Sequence, residues 1–478
     1  MFFRRILAFV ALAGLLLGSL GACTPEANPP QTVAAGNPAV VPRPSPLPRA
    51  IERETGPVYN SPQLQALVDR IGNRLVSQSN LPGTYRFYIL DQPLPNAHAV
   101  SGGYVFVTRG LLAMVDDDAE LAAAMSHELG HLTQRHAAQR EQARKGVIDA
   151  AVQAAMTSGS IQVGRSVASN GMLELRRYSR EQELEADRVG LSYLVKAGYR
   201  GDAMAGLIDK LRRQSRLEDE LLGVEERGGQ TSSASTHPAP NDRLAALQTM
   251  PTARQSGEAD RAGYLALIDG MSVDDAPEEG FVRGSSFLHP TMRLAFDAPS
   301  DFRLLNDHDG VFGFGRDRSA MNFSCSPDKV AGRLDDWMRN KLKPTPTDIE
   351  ATTIGGMEAA IGARPRGADT GLAQVRYVLI RFGDGVCYFN LASDGPDRDR
   401  RIDVLLNAAR SFRALTAAEA AALKPYRLHI VPRGSGSAAQ YAQRLPYGDH
   451  KMARLLALNG VDSAAEFTQR SEIKLVEP

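Results

Sequence analysis

Apolar residues in the N-terminal half of the chain follow two different periods. After residue 61 they recur at the three- and four-residue spacing of an amphipathic helix, at Leu64, Leu67, Val68, Ile71 and Leu75. A strand is predicted at 85–90, and two shorter strands at 98–100 and 104–108 flank a Gly-Gly pair as in a hairpin. The pattern therefore predicts a helix followed by a small sheet.

Helical spacing then dominates up to residue 222. A helix-forming stretch runs from 111 to about 144, and a second strong helix is predicted at about 174–197, ending at Gly198. Between them, 146–171 is rich in Ala, Ser and Gly, which favours a core segment or a mobile flap over a membrane helix. A further helix is predicted at 202–222, and a Gly/Ser/Thr-rich loop leads from it to His237.

The C-terminal half has a different character. From 281 to about 412 the pattern favours strands and turns, and the last stretch begins and ends with short strands around two helical pieces. That final layout resembles a degenerate LysM module, although a Pro-Arg-Gly-Ser tract stands where that family has its usual turn. We predict an α+β protein with these parts: signal peptide 1–22, Pro-rich tether 23–54, mainly helical domain 55–255, linker 256–280, β-rich α+β domain 281–415 and LysM-like βααβ module 416–478.

The first residues are typical of an export signal. Arg4 and Arg5 precede an apolar run at 6–20, and small residues lead directly to Cys23. This arrangement resembles the lipobox of bacterial lipoproteins, which implies that Cys23 is acylated and becomes the first residue of the mature protein. Because Thr24 is not an aspartate, the resemblance implies the outer membrane, with the protein anchored in its periplasmic leaflet.

Composition excludes two broad classes of function. The 55 basic and 55 acidic residues balance, so no overall positive field attracts nucleic acid. The mean hydropathy of −0.25 and the lack of a sufficiently long apolar run argue against a polytopic membrane protein. With Cys23 acylated, Cys325 and Cys387 remain in an oxidising compartment, where we expect them to form a disulfide.

The clearest chemical signal is the run His127-Glu128-Leu129-Gly130-His131. Residues four apart lie on one face of a helix, so both imidazoles can reach one metal ion, and Glu128 can reach a water bound there. Neutral imidazoles suit zinc. His136 lies nine residues after His127, about 180° away on a continuous helix, so it is expected to point away as a packed or surface histidine.

A third ligand is expected from the second strong helix. Glu181 and Glu185 are each about 200° from Glu183, so only one helix face can address the metal. Glu183 has an aspartate four residues later on its own face, Asp187, which could hold a ligating imidazole by its other nitrogen. The sequence therefore favours Glu183 as the ligand.

These runs together resemble the gluzincin peptidases of the HtpX, BepA and CAAX prenyl protease type. The resemblance includes the strand pair before the active-site helix, Ser179-Arg180 before Glu183, and His237-Pro238 with Arg243. It implies one zinc ion per chain bound by His127, His131 and Glu183, with Glu128 as the catalytic base and Arg243 beside the ligands. The transmembrane helices and helical repeats of other branches have no counterpart in the sequence, so the match is to the soluble periplasmic branch.

The predicted function is zinc-dependent hydrolysis of misfolded or unassembled envelope proteins by metal-activated water. We expect Tyr104, Val105, Phe106 and Val107 to form a strand edge on which an unfolded substrate pairs. His237 could be a latch on the metal, an oxyanion donor or a residue of a simple turn. Two alternatives stay open: an assembly factor for outer-membrane proteins with gated proteolysis, and a hydrolase of peptidoglycan crosslinks whose tail contacts glycan weakly.

Overall fold

The computed structural model describes residues 47–222, 240–307, 310–315, 317–365, 374–395 and 397–478. It is a mixed α+β structure with a helical N-terminal part and a β-rich C-terminal part, as predicted. The N-terminal strands are β1 (Arg86–Leu90), β2 (Ala97–Val100) and β3 (Tyr104–Thr108). Its helices are α1 (Arg49–Thr55), α2 (Pro62–Gln78), α3 (Arg109–Met114), α4 (Asp118–Thr133), α5 (His136–Ser158), α6 (Ile161–Lys196), α7 (Ala203–Leu222), α8 (Pro240–Gln248) and α9 (Arg261–Ile268), with a 3-10 turn at Pro251–Arg254.

The first apolar period forms the predicted helix. α2 begins with a proline at its first turn, where no backbone N–H is needed, and it buries the predicted apolar face against β1. Gly72 permits this contact, because a Cβ there would lie 2.4 Å from the Phe87 ring. Upstream, α1 falls inside the segment predicted to be an extended tether. The signal peptide, Cys23 and the tether up to residue 46 lie outside the described residues.

The single long helix predicted from residue 111 to 144 is three helices in the structure. α3 ends at Met114, and α4 starts after Asp117, whose side chain accepts a hydrogen bond of 2.9 Å from the Glu120 N–H. α4 ends at Thr133, and Arg135 adopts a left-handed conformation with φ of 59° before α5 begins. α4 is buried along almost its whole length, which places it at the centre of the N-terminal part.

The Ala/Ser/Gly-rich segment lies in an exposed helical hairpin rather than in the core. α5 continues to Ser158, and α6 begins at Ile161, well before the predicted start near residue 174. The two helices pack closely, since Gly171 lies against Val147 and Gly164 against Ala151. None of the described helices has the length and apolarity needed to cross a bilayer.

The β-rich part contains two antiparallel sheets. Its elements are β4 (Phe281–Arg283), β5 (Ser286–His289), β6 (Leu294–Asp297), β7 (Phe302–Asp307), β8 (Gly310–Gly315), β9 (Ser319–Ser326), α10 (Leu334–Lys341), β10 (Thr347–Ile354), β11 (Met357–Ala363), β12 (Gln374–Phe382), β13 (Gly385–Ser393), α11 (Arg398–Arg410) and β14 (Arg413–Ala414). The seven-stranded sheet has the order β10-β11-β12-β13-β9-β8-β7, and the four-stranded sheet has the order β14-β6-β5-β4.

Aromatic packing and a cross-strand disulfide hold this part together. Phe296, Phe323 and Phe389 form a buried cluster with ring centroids 4.7–5.1 Å apart, and α11 covers it. Cys325 on β9 and Cys387 on β13 are directly opposite in register, and their sulfur atoms are bonded. The expected pairing of the two cysteines is thus the pairing in the structure.

The chain ends in a small α/β module that packs on the N-terminal part. After α12 (Ala417–Ala422) come β15 (Arg427–Pro432), α13 (Ala438–Arg444), α14 (Lys451–Leu458), α15 (Ala464–Phe467) and β16 (Glu472–Glu477), with β15 and β16 antiparallel. Leu428 of β15 exchanges backbone hydrogen bonds of 2.8 Å with Gly270 and Met271, just after α9. Its side chain joins the N-terminal hydrophobic core, so the two parts share a continuous interior.

A buried ammonium reinforces this junction. Lys474, 2% exposed, donates to the carbonyl oxygens of Ala113, Met114 and Val115 at 2.8, 3.1 and 2.6 Å. It also pairs with Asp116 at 3.0 Å. Burial lowers the pKa of Lys474 to about 8, against the opposing effect of Asp116, so the ammonium is charged at neutral pH. The C-terminal module thus contacts the turn from which α4 starts.

Asp275, between α9 and β4, makes stability depend on pH. Burial and the neighbouring Asp274 raise the pKa of Asp275 to about 7. Because the folded protein then binds this proton more tightly than the unfolded chain, the contribution to stability is lost as pH rises toward 7. We expect Asp275→Asn to raise the free energy of unfolding by about 2 kcal/mol at pH 8 and much less at pH 5.

Thermal unfolding at the two pH values measures this effect. Asp384→Asn is the matched control, because the side chain of Asp384 is 83% exposed. A stabilisation by Asp275→Asn of equal size at both pH values would contradict the assignment.

Candidate metal centre

Two histidines on α4 converge one helical turn apart. The Nε2 atoms of His127 and His131 lie 3.0 Å from each other, and the two residues are 4% and 7% exposed. Two imidazole nitrogens at this separation would repel each other unless a proton or a cation lay between them. The predicted pairing of these side chains on one helix face is therefore what the structure shows.

Glu183 on α6 completes a three-ligand set. Its carboxylate oxygens lie 3.4 Å from His127 Nε2 and 3.4 Å from His131 Nε2, and the side chain is 1% exposed. In a tetrahedral zinc site with bonds of about 2.0–2.1 Å, neighbouring ligand atoms are about 3.3 Å apart. Among the described residues this is the one group of three or more His, Cys, Asp or Glu side chains able to hold a metal ion. The donor set and its spacing fit a zinc ion.

Two glycines allow α4 and α6 to approach closely enough for this set to form. A Cβ on Gly130 would lie 2.9 Å from the carbonyl oxygen of Ala186, and a Cβ on Gly190 would lie 2.9 Å from the His127 nitrogen. The helices therefore meet at backbone contact at two points on α6, both within about two turns after Glu183. Gly130 lies inside the His-Glu motif, but nothing in the sequence singled out Gly190.

His127 is oriented by Asp187, as the spacing of the second helix predicts. Nδ1–H of His127 donates to Asp187 at 2.9 Å, and Arg243 of α8 donates to both oxygens of Asp187 at 2.7 Å. Burial alone would raise the pKa of Asp187, but Arg243 and His127 lower it to about 2. Burial and the nearby Arg243 both lower the pKa of His127. The hydrogen bonds from His127 to Asp187 and Glu183 have a larger, opposite effect and raise this pKa to about 9. A metal ion must therefore displace this proton.

The prediction that His136 points away from the site assumes one continuous helix and is wrong. Because α4 ends at Thr133 and the chain turns at Arg135, His136 returns toward the site and is fully buried. Its Nδ1 lies 2.9 Å from Nδ1 of His131, and its Nε2 lies 3.3 Å from Glu185.

The contacts of His136 assign the tautomer of His131. If His136 donates Nε2–H to Glu185, its Nδ1 accepts from Nδ1–H of His131, which leaves Nε2 of His131 as the ligand atom. Both candidate ligand histidines are thus held through their other ring nitrogen. Burial lowers the pKa of His136, so this ring is neutral, as the arrangement requires.

Comparison with known proteins agrees with this geometry. Residues 62–251 match the profile of a family described as Peptidase family M48, and this range contains the ligands and the side chains that orient them. The chain carries an M48 metallopeptidase domain.

The chain is also similar to several named proteases. The chain is 34% identical over 264 residues to a putative beta-barrel assembly-enhancing protease of Vibrio cholerae serotype O1, covering 50% of this chain and 51% of that protein. It is 30% identical over 221 residues to the Escherichia coli K12 beta-barrel assembly-enhancing protease, covering 43% and 44%. Metalloprotease LoiP of the same strain is 29% identical over 185 residues, covering 38% and 66%. The chain thus spans about half the length of the first two relatives.

The strand predicted to offer a substrate-binding edge lies in the middle of its sheet. Tyr104–Thr108, β3, lies between β1 and β2 and bonds to both, so Tyr104, Val105, Phe106 and Val107 offer no vacant edge. The prediction is wrong because β1 pairs in parallel with β3, a long-range contact that the hairpin pattern does not reveal. The outer edge of β2, Ala97–Val100, has no strand beside it in the described part of the chain, and β2 packs next to α4.

Two other predicted residues cannot be placed. His237 and Cys23 both lie outside the described residues, so their roles stay predictions. Glu128 is 3% exposed and adjacent to His127 on α4.

Glu183 can be tested as a ligand of the M48 domain against a neighbour on the same helix. We expect Glu183→Gln to reduce the metal content of the purified protein at least about tenfold, because loss of one of three protein ligands opens the site. Glu181→Gln is the matched control, since Glu181 is exposed. Elemental analysis measures this, and equal metal content in the two variants would rule out Glu183.

Proposed function

We propose that the chain is a zinc-dependent endopeptidase that degrades misfolded or unassembled envelope proteins. The observation that carries this proposal is the buried set of His127, His131 and Glu183 with Glu128 beside it, inside an M48 domain. Further support comes from the relatives, two of which are named proteases of beta-barrel assembly.

The residues around the ligands have separate roles in this proposal. Bound zinc would supply Lewis acidity that polarises the scissile carbonyl and acidifies the attacking water. Glu128 accepts the proton of that water and returns it to the departing amine. Asp187 and the His136–Glu185 pair keep the two imidazoles in the tautomer that presents Nε2. Arg243 balances the charge of Asp187 and lies 3.6 Å from Glu183.

The substrate is proposed to bind as an extended chain along the outer edge of β2. Strand addition uses backbone groups, so it recognises unfolded segments with little dependence on their side chains. β2 lies next to α4, which carries both histidines, and this supports hydrolysis of the added strand at the metal. His237, which precedes α8 in the sequence, is proposed either to cover the metal at rest or to donate to the oxyanion.

We further propose a periplasmic location with a lipid anchor at Cys23 in the outer membrane. The lipobox resemblance supports the anchor. The sequence resemblance of the C-terminal module to a degenerate LysM module supports a weak contact with peptidoglycan, although three helices stand between its strands where two were predicted. A second candidate function is assembly of outer-membrane proteins with gated proteolysis, which the printed names of the relatives favour.

One comparison separates these functions. The native protein and Glu128→Gln would each be incubated with an unfolded outer-membrane protein, with the same protein folded, and with purified sacculi. The proposal predicts fragments from the unfolded protein alone, and only with native enzyme. Faster folding of the outer-membrane protein with both variants and no fragments would favour the assembly factor. Muropeptide release from sacculi by native protein alone would favour the crosslink hydrolase.

A further inference from the structure

The hairpin of α5 and the first half of α6 extends beyond the catalytic body as an arm, here defined as residues 140–180. From 137 to 181, Gly164 alone is buried among the residues whose side chains are described. At its base, Gln139 accepts hydrogen bonds from Tyr178 at 2.8 Å and Gln182 at 2.9 Å. From residue 140 to the turn after Ser158 the arm is about 28 Å long, at 1.5 Å per residue.

Apolar side chains are concentrated on this arm. The described part of the chain has eight exposed large apolar side chains, and five of them lie here. Three follow one face of α5 at four-residue intervals, Ile148, Val152 and Met156, which are 41%, 53% and 75% exposed. The other two are on α6: Val163 and Leu173, 42% and 57% exposed. Such clustering differs from the scattered apolar residues of ordinary surfaces and marks an interaction site.

The charges of the arm are separated from its tip. Residues 150–164 contain no charged side chain. The rest of the arm has seven basic and three acidic residues, an excess of four positive charges in a protein whose net charge is zero. The arm thus has an uncharged apolar tip, residues 150–164, and a basic remainder. This pattern is typical of segments that lie in the interface of an anionic membrane.

We propose that the tip of the arm, residues 150–164, inserts into the interfacial region of a membrane containing anionic phospholipids. Val152, Met156 and Val163 enter the headgroup and upper acyl region, while Arg144, Lys145 and Arg165 meet the phosphates. The uncharged part of α5, nine residues from 150 to 158, is about 13 Å long, which reaches into one leaflet but cannot cross a core of about 30 Å.

This attachment has a geometric consequence for the metal centre. α6 runs as one helix from Ile161 at the tip to Lys196, and Glu183 lies on it. Glu183 lies 22 positions after Ile161, which is about 33 Å of helix. The arm therefore sets the distance between the membrane surface and the metal ligands, independently of any anchor at Cys23.

Vesicle binding tests the proposal on the full mature chain with Cys23→Ser, so that no acyl group contributes. Flotation with vesicles of phosphatidylethanolamine and phosphatidylglycerol is compared with phosphatidylcholine vesicles. We expect binding to the anionic vesicles, and the double variant Val152→Asp/Met156→Asp should weaken it at least about tenfold. Met292→Asp is the matched control, because Met292 is also exposed, at 40%, but lies in the β-rich part.

A second measurement keeps the proposal testable if the double variant fails to fold. In a Trp337→Phe background, Met156→Trp introduces one indole at the tip, and its fluorescence should shift to the blue with anionic vesicles only. Equal vesicle binding by the native chain and the double variant, or no shift of the indole, would overturn the proposal. So would a dimer in sedimentation velocity that the double variant abolishes without any vesicle binding, since the arm would then pair with a second copy.

Discussion

Replacing Glu128 with glutamine is expected to lower kcat/KM for an unfolded protein substrate by about a thousandfold. Glutamine keeps the size of the side chain but cannot accept the proton of the attacking water. Because Glu128 is not one of the three ligands, the metal content should be unchanged. Its burial at 3% exposure means that no bulk water can easily replace it as the base.

The control for this kinetic comparison should replace a glutamate whose carboxylate does not contact the metal centre. Glu181→Gln meets this requirement, since Glu181 is exposed on the same helix as the glutamate ligand. It should retain both metal and activity. If Glu128→Gln kept activity within a few fold of the native enzyme at equal metal content, Glu128 would not be the base.

Replacing Lys474 with methionine is expected to destabilise the N-terminal and C-terminal parts together, by about 3–5 kcal/mol. Methionine fills much of the space but leaves the carbonyls of residues 113–115 without their donor. It also removes a cation from Asp116, whose pKa Lys474 helps to hold far below its usual value despite burial. Asp116 keeps Lys210 at 2.9 Å and Arg470 at 3.0 Å, so the loss is partial.

Hydrogen–deuterium exchange can locate this loss. Amides of β15, β16 and the first turn of α4 should exchange faster in Lys474→Met, while the disulfide-bonded sheet of the β-rich part stays protected. Lys329→Met is the matched control, because Lys329 is 78% exposed. Unchanged protection around α4 would show that the C-terminal module is not coupled to the metal-binding helix.

Local features of the site could be predicted from the sequence, whereas long-range contacts could not. The four-residue spacing of His127 and His131 needs only one helix, and Asp187 follows from the same rule on α6. His136 required knowledge that the chain turns at Arg135, a left-handed residue that is neither glycine nor asparagine. The order of the small sheet depends on the parallel pairing of β1 with β3, which no local pattern encodes.

The contact between the C-terminal module and the N-terminal part could not be predicted from the sequence either. Lys474 is 360 residues from Met114 in the chain, and in a short alternating strand it is indistinguishable from an ordinary exposed lysine. The hairpin of α5 and α6 was obscured for another reason. Its alanines and glycines gave a weak periodicity, because the helices pack on each other through small residues rather than on a core.

Anomalous diffraction at the zinc absorption edge, from crystals of the purified full chain, tests the central claim most directly. The account predicts a single strong peak within about 2.0–2.2 Å of Nε2 of His127, Nε2 of His131 and a carboxylate oxygen of Glu183. A fully occupied metal bound by other residues, or these three side chains in place with no peak from zinc-supplemented crystals, would contradict it.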